Sequence, residues 1–394
     1  MIIVGGTYRE ACTRPSDQRL RGSGLRAAIV LRGVAPDARL YTAVSAEDLD
    51  ELSAVAAAFG GLDVAVVPRN APVTFSYYTP LSPPAIDGVT ARLQGPIEAT
   101  GDTALCFGLI EEGQDVTIRC QTLVLDPQGE TGSLPIEKMT YERLAIVANE
   151  REVRRLAATE DSAAAARVLR DKLDADVVVV KCGARGSMVV RREGTALVGP
   201  CPTSVVRPIG SGDVFSAAFA HAYGQQGADG VEAARAAADF TALYVSTASE
   251  PPIGAARYDS SVPFGGPVQV YLAGPFFGLG QSWLIDLVRR ALRETGATPF
   301  SPFHDVGPGG PEVAKFDLDG LDASASVLAL VDDFDAGTVF EIGYAVRCGK
   351  PVVAYLDPRR GEHLTMLEGS GVEVTDDLAT AVYRAIWRGM AADD

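Results

Sequence analysis

Residues 327–345 read Val-Leu-Ala-Leu-Val-Asp-Asp-Phe-Asp-Ala-Gly-Thr-Val-Phe-Glu-Ile-Gly-Tyr-Ala. The apolar run 327–331 has the length of a buried strand and is too short for a helix. Asp332-Asp333-Phe334-Asp335 leaves its C-terminal end, and Gly337-Thr338 opens a helix. A strand that feeds a helix through a short polar turn is half of a βα unit, and ligands of open α/β sheets sit in the crevice beyond the carboxyl ends of the strands. Glu341 falls in that crevice. With Thr338 as N-cap, it lies near the positive helix end, which would keep it ionised. The same Thr338-x-x-Glu341 spacing is also that of a capping box with no chemistry.

Working outward, strand-like runs at 2–4, 64–67, 177–180, 268–273, 327–331 and 351–356 alternate with helical patterns. The latter lie at 47–59, 141–157, 162–173, 214–224, 231–248, 282–295 and 377–388. Such alternation predicts an α/β protein of two doubly wound, mostly parallel sheets. Pro and Gly crowd residues 249–267, between a long helix and a fresh strand. The expected division is a domain over 1–250, a linker over 251–267 and a domain over 268–394. Residues 72–108 break the alternation, and a small antiparallel lid over the sheet edge is the expectation there.

The 394 residues exceed one typical core, and 47% hydrophobic with 22% charged residues describes a globular chain. A net charge of −16 argues against a nucleic-acid backbone as partner but not against small phosphorylated ligands, which helix N-termini can hold. Six scattered cysteines and three histidines give no zinc or disulfide framework. No export or membrane segment is visible, so the expected location is cytoplasmic.

Pro208-Ile209-Gly210-Ser211-Gly212-Asp213 precedes an apolar helix face at Val214, Phe215, Ala218, Phe219 and Ala222. The glycines would turn tightly at a helix start, with backbone N–H groups facing an anion, and Asp213 could take a proton from an acceptor hydroxyl. A helix cap with no further role fits the same string. Val180-Lys181-Cys182-Gly183-Ala184-Arg185-Gly186 ends a buried strand, and Asn149-Glu150-Arg151-Glu152 opens a helix with the spacing of a capping box.

In order, these segments resemble the ribokinase/PfkB family of sugar and nucleoside kinases over residues 1–250. The early Gly-rich site corresponds to Gly22-Ser23-Gly24-Leu25-Arg26, preceded by Gly5-Gly6. The resemblance implies a ribokinase-like fold with a β lid, and ATP with Mg²⁺. It makes Asp213 the base and Gly210, Ser211 and Gly212 the anion hole. Lys181, Gly183 and Gly186 fall to the nucleotide, and Gly22, Gly24 and Arg26 to the acceptor. Asn149 and Glu152 become the metal-linked pair. Two departures stand out: Lys181 occupies the place of the usual Thr, and Arg26 lies where the family carries an asparagine.

Breaking an N-glycosidic bond needs a carboxylate below the sugar ring and a proton donor at the base. The C-terminal third joins Tyr-Leu-Ala-Gly-Pro-Phe-Phe at 271–277, Ser-Pro-Phe-His-Asp at 301–305, Asp317-Leu318, Asp335-x-Gly-x-x-x-Glu341-x-Gly-x-Ala345 and Gly349-Lys350-Pro351-Val352. Taken singly, the aspartates read as a solvated face and the aromatics as core. Jointly they resemble the nucleoside 2-deoxyribosyltransferase family, which implies a flavodoxin/Rossmann-like domain. The resemblance makes Glu341 the nucleophile, Tyr271 its orienting partner, and Asp317 and Asp335 base-contacting or proton-donating carboxylates. Gly274, Phe276 and Phe277 border the base. In that family an asparagine from a neighbouring subunit reaches the sugar, but this chain has only Asn70 and Asn149. The expected protein is a bifunctional enzyme of nucleosides, nucleotides or pentoses, at least a homodimer, with no nucleic-acid or membrane partner. The alternative is an N-glycosidase acting on a nucleotide or NAD-like signal, with the kinase-like domain as a ligand sensor.

Overall fold

The computed structural model describes residues 1–128, 136–247, 249–254, 261–356 and 364–392. The chain forms two compact units, one of residues 1–182, 186–201 and 208–261, the other of 183–185, 202–207 and 262–394. Part of the expected linker, residues 255–260, lies outside the described residues.

The first unit is built on a nine-stranded sheet. From one edge to the other, its order is Gly194–Val198, Ser187–Arg191, Val177–Lys181, Arg143–Asn149, Thr122–Asp126, Thr103–Phe107, Ile2–Val4, Arg39–Ser45 and Asp63–Arg69. Seven strands run parallel, and the first two close the edge as an antiparallel hairpin. Central strands such as Val177–Val180 and Leu123–Leu125 are fully buried, as expected when helices cover both faces.

The helical pattern over 141–157 was half strand. Arg143–Asn149 joins the sheet, and only Glu150–Ala157 is helical. The region 72–108 supplies strands to three sheets, the first of them the small sheet expected as a lid. Thr74–Tyr77 and Ala85–Asp87 pair with Tyr8–Cys12 and Asp17–Arg21 in a four-stranded sheet. Ile97–Thr100 joins a parallel three-stranded sheet with Val116–Arg119 and Met139–Thr140, and Thr103–Phe107 enters the main sheet.

A buried charge cluster seats the four-stranded sheet. Arg69 donates to Glu111 at 2.8 Å and to the carbonyl of Ala71 at 2.9 Å, and Tyr8 donates to the other Glu111 oxygen at 2.9 Å. Arg9 pairs with Asp48 at 2.7 Å. Where the first strand gives way to this sheet, the chain crosses the helix Gly22–Leu31 at the closest range backbones allow. A Cβ added to Gly24 would lie 2.5 Å from the Gly5 carbonyl oxygen, so only glycine fits.

The second unit is a five-stranded, all-parallel sheet ordered Thr298–Phe300, Gln269–Ala273, Ser326–Leu330, Val352–Tyr355, Glu373–Thr375. Numbered along the chain, that is 2-1-3-4-5. The winding reverses between Gln269–Ala273 and Ser326–Leu330, which is where a doubly wound sheet opens a crevice. Tyr271, Val327, Ala329, Ile342 and Ala345 form the core beneath that point. Among the described residues, no helix of either unit is long and apolar enough to cross a membrane.

Candidate active sites

In the second unit, strand Gln269–Ala273 brings Tyr271 to the reversal point, and helix Ala336–Arg347 brings Glu341. Tyr271 donates its hydroxyl to Glu341 Oε1 at 2.6 Å. The helix cap is Asp335, whose Oδ2 accepts from the Thr338 N–H at 2.8 Å and hydroxyl at 3.0 Å. Thr338 is therefore an interior residue and not the N-cap. An acidic side chain caps as well as Thr, and it stands three residues before the N–H it accepts from.

The expectation that the helix end keeps Glu341 ionised is also corrected. Burial pushes its carboxyl up to about 7, the Tyr271 hydrogen bond pulls against that, and the charges of Asp317 and Asp335 add to the rise. A partial helix charge does not offset desolvation plus two like charges. Burial likewise raises the Tyr271 phenol, reinforced by Glu341. Asp317, on helix Ala314–Ala323, is raised by burial and has its Oδ1 without a hydrogen-bond partner. Glu341, Tyr271, Asp317 and Asp335 thus form one electrostatic group.

Gly274 packs against Ile285 and Leu330 as the chain leaves the strand. Phe276 lies tilted against Phe303 at 4.9 Å between centroids and against Phe277, which is 77% exposed. Sequence reading took the wall to be Phe276 and Phe277. The partner it missed, Phe303, was visible within the quoted Ser-Pro-Phe-His-Asp string. His304 lies between Ser301 Oγ at 3.1 Å and Asp286 Oδ1 at 2.8 Å and fixes the turn that carries Phe303.

In the first unit, four parallel strands deliver the site at their carboxyl ends. Asp126, Asn149 and Lys181 end their strands, and Gly5-Gly6 follows the first. Gly210 opens helix Ser211–Ala220 at φ +78°, and a Cβ there would lie 2.1 Å from Arg26 Nε. Ser211 and Gly212 continue the turn, and Asp213 sits in the first turn of the helix. Asp213 is nearly buried, and both its oxygens are engaged. Oδ2 accepts from Arg26 at 2.6 Å and Oδ1 from Gln128 at 2.5 Å. Burial pushes this carboxyl upward against the pull of Arg26.

Arg26 projects from helix Gly22–Leu31 and also donates to Glu10 at 2.5 Å and to the Tyr244 hydroxyl at 3.2 Å. Glu10 accepts from the Gly22 N–H at 3.0 Å. Tyr77 faces the same charges, and its phenol is raised mainly by burial. Glu10, Tyr77, Gln128 and Tyr244 were not foreseen, because no local pattern marks them and each reaches the site through long-range packing.

Lys181 donates to Asp126 Oδ2 at 2.7 Å, and the Ser216 hydroxyl donates to the same oxygen at 2.6 Å. Burial works against the Lys181 charge, but Asp126 and Glu152 lift its pKa above the usual lysine value. Gly183 and Gly186 lie in the hairpin loop after Lys181, at φ +60° and +106°. Asn149 and Glu152 close a reciprocal capping box on helix Glu150–Ala157. Asn149 Oδ1 accepts from the Glu152 N–H at 2.9 Å, and Glu152 Oε2 accepts from the Asn149 N–H at 2.8 Å. That leaves Glu152 Oε1 as the one oxygen of the pair not bound into the cap. Among the described residues, no group of three or more His, Cys, Asp or Glu side chains could hold a metal ion. Glu152 Oε1 is therefore the atom of the pair that could face a divalent cation.

Residues 113–251 match the family model described as pfkB family carbohydrate kinase, and residues 270–377 match that of nucleoside 2-deoxyribosyltransferase. The kinase match begins after Gly22, Gly24 and Arg26, so the residues expected on the acceptor side lie outside it. Among solved structures, a phosphofructokinase-2 variant from Escherichia coli is 15% identical, covering 64% of this chain and 95% of its own at a TM-score of 0.50, which places the first unit in the same fold. A ribokinase from Thermotoga maritima is 16% identical over 64% of this chain and 95% of its own, at a TM-score of 0.46. A Burkholderia thailandensis nucleoside kinase in complex with inosine is 17% identical over 64% and 92%, at 0.45. No curated protein matches the chain.

Proposed function

We propose that this chain, which carries a PfkB/ribokinase-family kinase domain followed by a nucleoside 2-deoxyribosyltransferase domain, is a bifunctional enzyme of nucleosides or their pentoses. One domain phosphorylates a nucleoside or pentose hydroxyl from ATP, with Asp213 as base. The other cleaves or exchanges an N-glycosidic bond through Glu341. The observation that carries the reading is the 2.6 Å Tyr271–Glu341 hydrogen bond at the reversal point of the second sheet. A half-buried carboxylate poised near neutrality can serve as a nucleophile that also leaves.

In this reading the ionised Glu341 attacks C1′ and the bond to the base breaks, its electron pair going to the base nitrogen. Asp317 gives that nitrogen a proton. It suits the role better than Asp335, whose Oδ2 is committed to the helix cap. Water or a second base then takes the sugar from Glu341 and restores the carboxylate, with its own proton passing to Asp317. Phe276 and Phe303 offer apolar ring faces for a nucleobase.

In the kinase site the acceptor hydroxyl must reach Asp213, whose present partners are Arg26 and Gln128. That occupancy favours a second reading, in which the first domain senses a ligand and the second acts on a nucleotide or NAD-like signal. Incubation with ATP, Mg²⁺ and a panel of nucleosides and pentoses separates the two. The first reading expects both ADP and free base, and expects Glu341→Ala to abolish base release while ADP formation persists. Base release without ADP from any acceptor would establish the sensor reading, and no base from any nucleoside or nucleotide would overturn both.

A further inference from the structure

Gln281 is an uncharged side chain at the carboxyl edge of the second sheet that the glycosidic reading has not used. It stands in the first turn of helix Leu279–Glu294, three residues after the N-cap Gly278. Its Oε1 accepts from the Phe277 N–H and from the Gly278 N–H, each at 3.1 Å. Its Nε2 donates to Asp332 Oδ2 at 3.1 Å. Phe277 and Gly278 lie in the turn after strand Gln269–Ala273, whereas Asp332 begins the turn after strand Ser326–Leu330. One side chain thus ties the two turns that leave the sheet on either side of its reversal point.

Packing alone does not fix these turns. Phe277 and Leu279 are exposed on the first, and there the Ser282 hydroxyl adds one hydrogen bond, to the Phe276 carbonyl at 3.2 Å. In the second, Asp333 and Phe334 stand at φ +55° and +50°. Residues with a side chain disfavour that left-handed region, so such a turn persists only where its surroundings hold it. Asp335 anchors its far end by capping helix Ala336–Arg347, which carries Glu341. Gln281 holds its near end through Asp332. The residue type fits the double duty. Helix starts commonly place Glu or Gln at this third position, to accept from the N-cap N–H. A glutamate would meet the Asp332 carboxylate with like charge, whereas an amide accepts at one end and donates at the other.

We propose that Gln281 is a positioning residue of the glycosidic site: through Asp332 it holds the turn bearing Phe276 in register with the turn that leads to Glu341, and so sets the slot that admits the base. This rests on the glycosidic reading of the second domain and specifies what keeps the two sides of its crevice together. The base lies in that slot before and during bond breaking, so loss of the tie falls on KM rather than on kcat.

The test is steady-state base release by the full chain at about pH 8, where Glu341 is mostly ionised. The substrate is the nucleoside or nucleotide that the wild type cleaves best. Gln281→Glu keeps both contacts to the N–H groups but sets a carboxylate against Asp332. It should raise KM about tenfold while kcat changes by less than about twofold. Gln281→Glu/Asp332→Asn reverses the polarity of the tie, with the amide now donating from position 332, and keeps the charge of the pair. It should bring KM back to within about threefold of the parent value. Melting temperatures near the parent's establish that the variants are folded. Should Gln281→Glu melt early, Asp332→Ala removes the acceptor without adding charge and carries the same expected rise in KM. An unchanged KM in the folded single variant overturns the proposal, as does a loss confined to kcat or a rise in KM that the double variant does not reverse. In each case base release by the parent leaves the glycosidic reading standing. A wild type that frees no base from any nucleoside or nucleotide sinks that reading together with the proposal.

Discussion

Tyr271→Phe removes one oxygen and with it the 2.6 Å hydrogen bond to Glu341. The ring stays, still stacked on Phe300 at 5.6 Å, so packing is largely kept. Hydrogen bonds to charged groups are worth about 1.5–3 kcal/mol, and a shift of one pH unit in ionisation corresponds to about 1.4 kcal/mol. The bond favours the ionised carboxylate, and its loss raises a pKa that already stands at about 7. The rising limb of base release against pH should therefore move up by about one to two pH units. At pH 7 the ionised fraction falls from about a half to between a tenth and a hundredth, a loss of about 5- to 50-fold in kcat/KM that is recovered in alkali. Stability provides a second readout. Between the ordinary glutamate value of 4.5 and about 7, the native chain binds more protons than the unfolded one. Stability therefore declines as pH rises through that window, and the variant should extend the decline to higher pH. A rising limb that stays in place, with activity reduced equally at every pH, would refute the reasoning and reduce Tyr271 to a packing residue.

Asp213→Asn should lower ADP formation by about 10²- to 10⁴-fold with base release unchanged, and a loss below twofold would remove Asp213 as base. Asn149→Ala opens the reciprocal cap on Glu150–Ala157, which costs about 1 kcal/mol and lowers the calorimetric melting temperature of the first unit by about 2–4 °C. Arg69→Met leaves Glu111 and Asp48 buried beside a neutral side chain. Breaking such a pair costs about 3–5 kcal/mol, and hydrogen exchange should show the strands Tyr8–Cys12 and Thr74–Tyr77 losing protection first.

Both sheets were legible through those central strands that are buried on two faces and read as short apolar runs between helices. Ser326–Leu330 and Val177–Lys181 announce themselves in this way. Arg143–Asn149 did not, because the charged residues on either side blur its five apolar residues, Leu144–Ala148, into the helix that follows. The four-stranded sheet was half-legible. Its strands are short, polar and only partly buried, and Tyr8–Cys12 pairs with Thr74–Tyr77 across a separation that no local pattern spans. In the C-terminal site the acidic and aromatic residues were readable from fixed spacings within single βα turns. Their protonation was not, since desolvation depends on what the fold places overhead. Asp126 left a faint signal, a charge ending the apolar run Thr122–Leu125 just before Pro127. Its pairing with Lys181 lies 55 residues away and needed the sheet order to become visible.

The contact between Gly5 and Gly24 leaves the floor beneath Arg26 and Asp213 no freedom to vary, because a single added carbon on either residue collides with backbone. A pocket with an immovable floor can change its preferences only through its walls. Glu10 and Tyr77, which come from the small sheet, are such walls. On the proposed kinase reading, acceptor choice is written on a layer that can drift in sequence without disturbing the turn at Gly210–Asp213, and directed evolution toward new acceptors should concentrate its successful changes there.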